Sequence, residues 1–330
     1  MNNFTYARAG SVSEAVAAAG TAGSAFVAGG TNLIDLMKEN VARPLHLIDV
    51  NRLPLKGIES LPGGGLRLGA LATNADTAYH PEVRRRYPLL SEAILAGASA
   101  QLRNMATDGG NLLQRTRCYY FYDTGTPCNK RAPGSGCGAL AGVNRIHAIL
   151  GASDQCIATH PSDMCVALAA LGAVVRVTGP GGDREIPFAD FHRLPGDTPH
   201  VDTNLATGEL VTAIDLPPKG FAAHFEYVKV RDRQSYAFAL VSVAVGLELD
   251  GGTIKDARVA LGGVAHKPWR DPAAEALLVD KPPTADGYRP VADALLAGAK
   301  GYGHNTFKIE LARRAVVRAL TRAAGTEGRT

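Results

Sequence analysis

Between Gln114 and Thr159 the chain loses the hydrophobic periodicity found elsewhere in it, and this segment limits the possible folds more than any other feature. It is rich in Gly, Pro, Arg, Asn and Cys. A structureless stretch of roughly 45 residues inside a compact domain is improbable unless something orders it. All five cysteines fall in or just after it, at Cys118, Cys128, Cys137, Cys156 and Cys165. A disulfide framework belongs to small secreted domains, so a local metal or cluster site is the better first reading. No C-x-x-C pair is present, which makes a zinc ribbon a poor fit. Four thiolates suffice for a [4Fe–4S] or a [2Fe–2S] cluster, with unligated buried thiols and zinc as the competing readings. Arg115, Arg117, Lys130, Arg131 and Arg145 surround the cysteines in sequence and would offset the negative charge of a thiolate-bound cluster. His147 and His160 read as hydrogen-bonding groups rather than ligands. The aromatic run Tyr119 to Tyr122 reads as shielding or core.

The rest of the chain is strongly patterned. Ser11 followed by Glu14 is a capping-box signature for a helix over Val12 to Ala19. Short apolar strands are predicted at Ala25 to Ala28 and His46 to Val50, and a helix over Leu89 to Ala98. Ser162 and Asp163 suit the start of an Ala/Leu-rich helix, which puts Cys165 about one turn in, on a face shared with Leu168 and Ala169. That reading makes Cys165 a core residue, not a ligand. After Pro217-Pro218 the segments Ala222 to Val230 and Ala239 to Leu249 alternate like antiparallel strands, with Gly251-Gly252 as a turn. A domain boundary falls near the paired prolines.

Two polar, glycine-containing segments stand out: Ala28-Gly29-Gly30-Thr31-Asn32, between a strand and a helix, and Ala106-Thr107-Asp108-Gly109-Gly110-Asn111. Consecutive glycines let backbone approach a ligand closely, and free N–H groups at a helix start suit phosphate. Neither segment is the G-x-G-x-x-G fingerprint or a P-loop. Together they would cradle the two phosphates of one dinucleotide. The formal charge of +4 gives no sign of nucleic-acid binding, and no run approaches the ~18 apolar residues of a membrane span. Met1 to Gly10 has neither an apolar h-region nor twin arginines, so the expected compartment is the cytoplasm, or the periplasm if a signal-bearing partner carries the chain out.

In order along the chain, Phe4-Thr5-Tyr6, Ala28-Gly29-Gly30-Thr31, Thr107-Asp108-Gly109-Gly110-Asn111, Ser162-Asp163 and Tyr227-Val228-Lys229 resemble the motif series of the FAD-binding subunits of molybdenum hydroxylases of the xanthine dehydrogenase type. Ordinary members lack the long gap between Asn111 and Ser162. The gap with its cysteines looks like the subgroup carrying an extra [4Fe–4S] cluster, as in benzoyl-CoA-type reductases and, most similarly, the flavin subunit of periplasmic aldehyde oxidoreductases. The resemblance implies an α+β fold: a two-lobed FAD-binding domain of the vanillyl-alcohol-oxidase (PCMH) type and a C-terminal α+β domain of antiparallel sheet and helices. Its implied divisions are residues 1–55, 56–217 with the insertion at about 114–160, and 218–330. FAD would be held by Val27, Ala28, Gly29, Gly30, Thr31, Asn32 and Leu33, by Thr107, Gly110 and Asn111, and by Asp163, with Val211 and Lys229 near its ring. Cys118, Cys128, Cys137 and Cys156 would hold the cluster. The implied partners are a large subunit with the molybdenum cofactor, a small [2Fe–2S] subunit and an external electron acceptor. Substrate oxidation would occur on the partner, and no catalytic residue is assigned to this chain.

Overall fold

The computed structural model describes residues 1–325, which are organised around three sheets. His46–Asp49 lies between Thr5–Arg8 and Ser24–Val27, parallel to both. Parallel neighbours need crossover connections, and the helices Val12–Ala19 and Leu33–Lys38 lie in them. Ser11 Oγ accepts from the Glu14 N–H at 3.1 Å, while the Glu14 carboxylate reaches back to the Gly10 N–H at 2.7 Å. The predicted box is therefore present, shifted by one residue on its return arm.

The second sheet is antiparallel throughout and runs Ile58–Ser60, Leu66–Gly69, Leu210–Leu216, Val174–Gly179, Gly182–Pro187. The third is also antiparallel, in the order Trp269–Arg270, Thr253–Gly262, Val241–Asp250, His224–Val230. Gly251 and Gly252 turn between its two long strands with φ of 54° and 80°, a conformation glycine adopts without a Cβ penalty. The helix Phe307–Gly325 covers this sheet with Ala312, Ala315, Val316, Ala319 and Leu320, one apolar stripe at helical spacing. Between the second and third sheets lies Asp163–Leu171, whose nine residues are all buried. A helix apolar on every face has to be enclosed on every face. Ser162 Oγ caps it, and Gly172 ends it at φ 68°.

Two segments hold structure that the sequence pattern does not mark. In the polar segment Ala106 to Asn111, which carries no helical pattern, Asp108–Leu112 is a short helix, N-capped by Thr107 Oγ1 on the Gly110 N–H. The cap and tertiary burial outweigh the poor helix propensity of two glycines. The cysteine segment has little regular structure, and its backbone is hydrogen-bonded by local turns together with side chains instead of long ladders. Asn129 bonds to Gln155 and to the Gly136 N–H. Arg131 donates to the carbonyls of Tyr120 and Phe121. Asn144 donates to Ala139 and Tyr302, and Asn305 to Ala148. The buried Lys308 ammonium donates to the carbonyls of His147 and Gly263, tying the segment to the C-terminal helix. No helix among the described residues is long and apolar enough to cross a membrane.

Candidate functional site

A cavity of about 690 Å³ lies where the turn after Ser24–Val27, the N-terminus of Asp108–Leu112, the first turn of Asp163–Leu171 and the strand His224–Val230 converge. This is within the range of cofactor sites. Of the residues assigned to FAD, Thr31, Asn32, Gly110, Asn111, Asp163 and Lys229 line it. Val27 and Leu33 pack beneath the turn with Met37 and Leu47. Ala28, Gly29 and Gly30 form the turn itself. Thr107 is buried behind the wall as the cap of Asp108–Leu112. Val211 does not line the cavity. It is paired with Val177 in the second sheet and packed in the core.

The glycines of the first turn are needed for a reason nearer than phosphate. A Cβ on Gly29 would fall 1.8 Å from the Met105 carbonyl oxygen, and Gly30 has φ 71° with Ile34 Cδ1 at 2.6 Å from a would-be Cβ. The turn therefore packs directly against the backbone leading into the second polar segment, and the two lips of the cavity are held together by that contact. Gly110 is different: a Cβ there would meet only Thr107 Oγ1, at 2.9 Å.

A buried polar network sets the far lip. Asn111 Oδ1 accepts from Gln114 Nε2 at 2.8 Å and Ser162 Oγ at 2.5 Å, while its Nδ2 donates to Asn74 Oδ1 at 2.6 Å. Asn74 and Thr77 in turn donate to the Asp108 carboxyl at 2.8 and 2.6 Å. Burial pushes Asp108 up to about 7 against the opposing pull of these two bonds. Asp163 is fixed by Tyr227 Oη at 2.7 Å and Lys229 Nζ at 2.8 Å, and Lys229 also donates to the Ala96 carbonyl. Tyr227 and Lys229 are two apart on one strand, so they share a face. Lys229 thus forms a buried ion pair on the cavity wall. Asn32 Nδ2 and Arg103 Nε are buried at this cavity with no partner among the described residues. Buried donors call for acceptors, which the phosphates and hydroxyls of a flavin dinucleotide supply. Asn74 and Gln114 were not assigned from the sequence, and Arg117 was read there as part of the cationic collar of the cysteine segment. Asn74 meets Asp108 and Asn111 from more than thirty positions away, and no local motif marks it.

Cys118, Cys128, Cys137 and Cys156 line one small enclosed pocket, with Cys128 and Cys137 facing across an antiparallel bridge. Among the described residues, the only His, Cys, Asp or Glu triad within 4.8 Å of one another is His160, Cys165 and His192. Four thiols converging on one pocket can take a zinc ion or an iron–sulfur cluster. The histidine triad is itself a poor ligand set. The Ser162 N–H donates to His160 Nδ1 at 3.4 Å, so one of that ring's nitrogen lone pairs is already engaged. Cys165 lies in the core outside the pocket, its N–H capped by Ser162 Oγ at 3.0 Å. His147 Nε2 lies 3.0 Å from Cys118 Sγ, and burial lowers that imidazole to about 4. Burial also pushes Cys118 up to about 12 and Cys156 to about 11.

The cationic collar expected around the cysteines is mostly turned elsewhere. Lys130 alone of the five lines the pocket, buried and paired with Asp202. Arg115 also pairs with Asp202, Arg145 pairs with Asp232, and Arg131 serves backbone carbonyls. A guanidinium's planar fork suits the unpaired carbonyls that irregular chain leaves behind. Arg117 faces the large cavity.

Residues 2–219 match the family described as the FAD binding domain in molybdopterin dehydrogenase, and residues 226–323 match the CO dehydrogenase flavoprotein C-terminal domain. The chain is 55% identical over 325 residues to the aldehyde oxidoreductase FAD-binding subunit PaoB of Escherichia coli, covering 98% of this chain and 99% of that protein. It is 29% identical to the carbon monoxide dehydrogenase medium chain of Hydrogenophaga pseudoflava, covering 97% of this chain and 96% of that one. A solved structure of carbon monoxide dehydrogenase from the same organism superposes with a TM-score of 0.78 at 29% identity, covering 99% of each chain. The chain belongs to the FAD-binding medium subunits of the xanthine dehydrogenase and carbon monoxide dehydrogenase family.

Proposed function

We propose that this chain is the FAD- and [4Fe–4S]-carrying electron-transfer subunit of a molybdenum-dependent aldehyde oxidoreductase. The observation that carries the cluster is the convergence of Cys118, Cys128, Cys137 and Cys156 on one small pocket, with Cys128 and Cys137 facing across a bridge. The aldehyde substrate rests on the 55% identity to an aldehyde oxidoreductase subunit. A large subunit with the molybdenum cofactor would oxidise the aldehyde, and a small subunit would relay electrons through [2Fe–2S] centres. Bound FAD supplies a carrier that takes electrons from one-electron centres and delivers them to an external acceptor.

The chain's own residues do the rest. The turn at Gly29–Thr31 and the unpartnered amide of Asn32 face an anionic dinucleotide from one lip, while Gly110, without a side chain, lets it approach the other. The Asp163–Lys229 pair holds a carboxylate at the cavity wall, where its remaining lone pairs accept from hydroxyls. His147 orients the Cys118 sulfur. The domain divisions proposed are residues 1–55, 56–217 and 218–330.

The test is purification with native partners, followed by flavin, iron, molybdenum and turnover measurements. The isolated chain should be yellow-brown, carry iron and sulfide, and oxidise no aldehyde with any dye. Turnover should appear on mixing with the two partner subunits. Aldehyde oxidation by the isolated chain, free of molybdenum, would overturn the reading. Partners that hydroxylate an N-heterocycle or an aromatic acyl-CoA, and no aldehyde, would replace only the substrate.

A further inference from the structure

The stretch Thr116-Arg117-Cys118-Tyr119 forms a wall common to both sites. Thr116 and Cys118 line the cysteine pocket, whereas Arg117 and Tyr119 line the large cavity. Arg117 is therefore delivered into the flavin cavity by the insertion itself. Its side chain is half-buried, and burial lowers its pKa. Among the described residues it has no carboxylate in ion-pair contact. Its neighbours are the Arg115 carbonyl, Gln114 Oε1 at 3.5 Å and the Phe238 ring, whose centroid lies 5.0 Å away. Other basic side chains at this cavity are differently placed. Lys229 is paired with Asp163, Arg233 donates to the Tyr236 carbonyl, and Arg103 is anchored through one terminal nitrogen by the Leu95 and Gly97 carbonyls, with its Nε left unpartnered among the described residues.

The position of Arg117 relative to the two lips of the cavity is fixed by hydrogen bonds. The Arg115 N–H donates to Asn32 Oδ1 at 2.9 Å, tying the insertion to the first turn. Gln114, which faces Arg117, donates to Asn111 Oδ1 at 2.8 Å, tying it to the second. Asp35 is the carboxylate whose field reaches this guanidinium, and it makes no ion pair with it, so a half-buried cation on the cavity wall is left to be met by an anion. Arginine's planar donor fork matches phosphate oxygens two at a time.

We propose that Arg117 is a binding residue for the diphosphate of FAD, supplied by the four-cysteine insertion, so that the insertion's fold and flavin retention are coupled. The inference rests on the reading of the cavity as the FAD site and adds to it a specific anion contact outside the glycine-containing lips.

The experiment uses the full chain, stripped of flavin and titrated with FAD, ADP, inorganic pyrophosphate and riboflavin. Arg117→Met keeps the length and removes the charge; Arg117→Lys keeps a charge and loses the fork. Arg117→Met should weaken FAD and ADP by roughly 10- to 100-fold, the loss of a charge-assisted hydrogen bond to an anion. Riboflavin, which has no phosphate, should bind as in the wild type, and iron content should not change. Pyrophosphate should raise the melting temperature of the wild-type chain but not of Arg117→Met. Arg117→Lys should recover part of the FAD affinity, and it serves as the readout if Arg117→Met does not fold. FAD affinity within threefold of wild type in Arg117→Met would refute the assignment. Equal losses for FAD and riboflavin would also refute it, since they would show a packing role against Phe238. A wild-type chain that binds riboflavin and pyrophosphate but no FAD would refute the flavin reading and this contact with it.

Discussion

Replacing Gly29 by alanine adds one carbon, and the structure says where that carbon lands. It would sit 1.8 Å from the Met105 carbonyl oxygen and 2.6 Å from the Met105 carbonyl carbon, whereas real Cβ atoms essentially never approach within 3.0 Å. The carbonyl must retreat by more than an ångström, and it belongs to rigid backbone just before the Thr107 cap. Gly29→Ala therefore prises apart the two lips of the flavin cavity. Overpacking of this kind costs about 2–3 kcal/mol, or roughly 5 °C or more in melting temperature. The FAD cost is larger than the stability cost suggests, because both lips must contact one ligand and a small misplacement loosens both. The assay pairs a melting curve of the flavin-free chain with FAD titration by fluorescence quenching. Gly63→Ala is the control: nothing lies within 4 Å of a Cβ there, and its melting temperature should stay within about 1 °C of wild type. A Gly29→Ala chain that melts and binds FAD like the Gly63→Ala control would refute the contact between the lips.

Cys165→Ala should keep full iron and sulfide at a stability cost of about 1 kcal/mol, whereas serine at Cys118, Cys128, Cys137 or Cys156 should lose the cluster; iron loss in Cys165→Ala alone would reverse the assignment. Asp108, raised by burial from 3.8 to about 7, holds in the folded state a proton that the unfolded chain releases. Stability should therefore fall by roughly 3 kcal/mol as pH rises from about 4 to 7, then level off. Asp108→Asn, whose amide can donate to Thr77 Oγ1, should flatten that slope in denaturant titrations across the same window. Lys308→Met should lower stability by about 2–3 kcal/mol, because three backbone carbonyls at Ile146, His147 and Gly263 lose their donor. An unchanged melting temperature in Lys308→Met would show that these carbonyls find other donors.

The sequence by itself determined the elements whose signals are local. The Ser11 and Ser162 caps, the Gly251-Gly252 turn and the alternating strands of the third sheet all depend on residues within a few positions of one another. The motif order likewise marked Thr31, Asn32, Gly110, Asn111, Asp163 and Lys229, which line one cavity. Tertiary structure decided the rest. Gly29 is required because of Met105, Asp163 is held by residues more than sixty positions away, and the order of the cysteine segment comes from Asn305, Lys308 and other side chains distant in sequence. The direction Arg117 points was equally invisible. In an irregular segment no period assigns faces, so which neighbour a side chain meets is set only when the whole chain has packed.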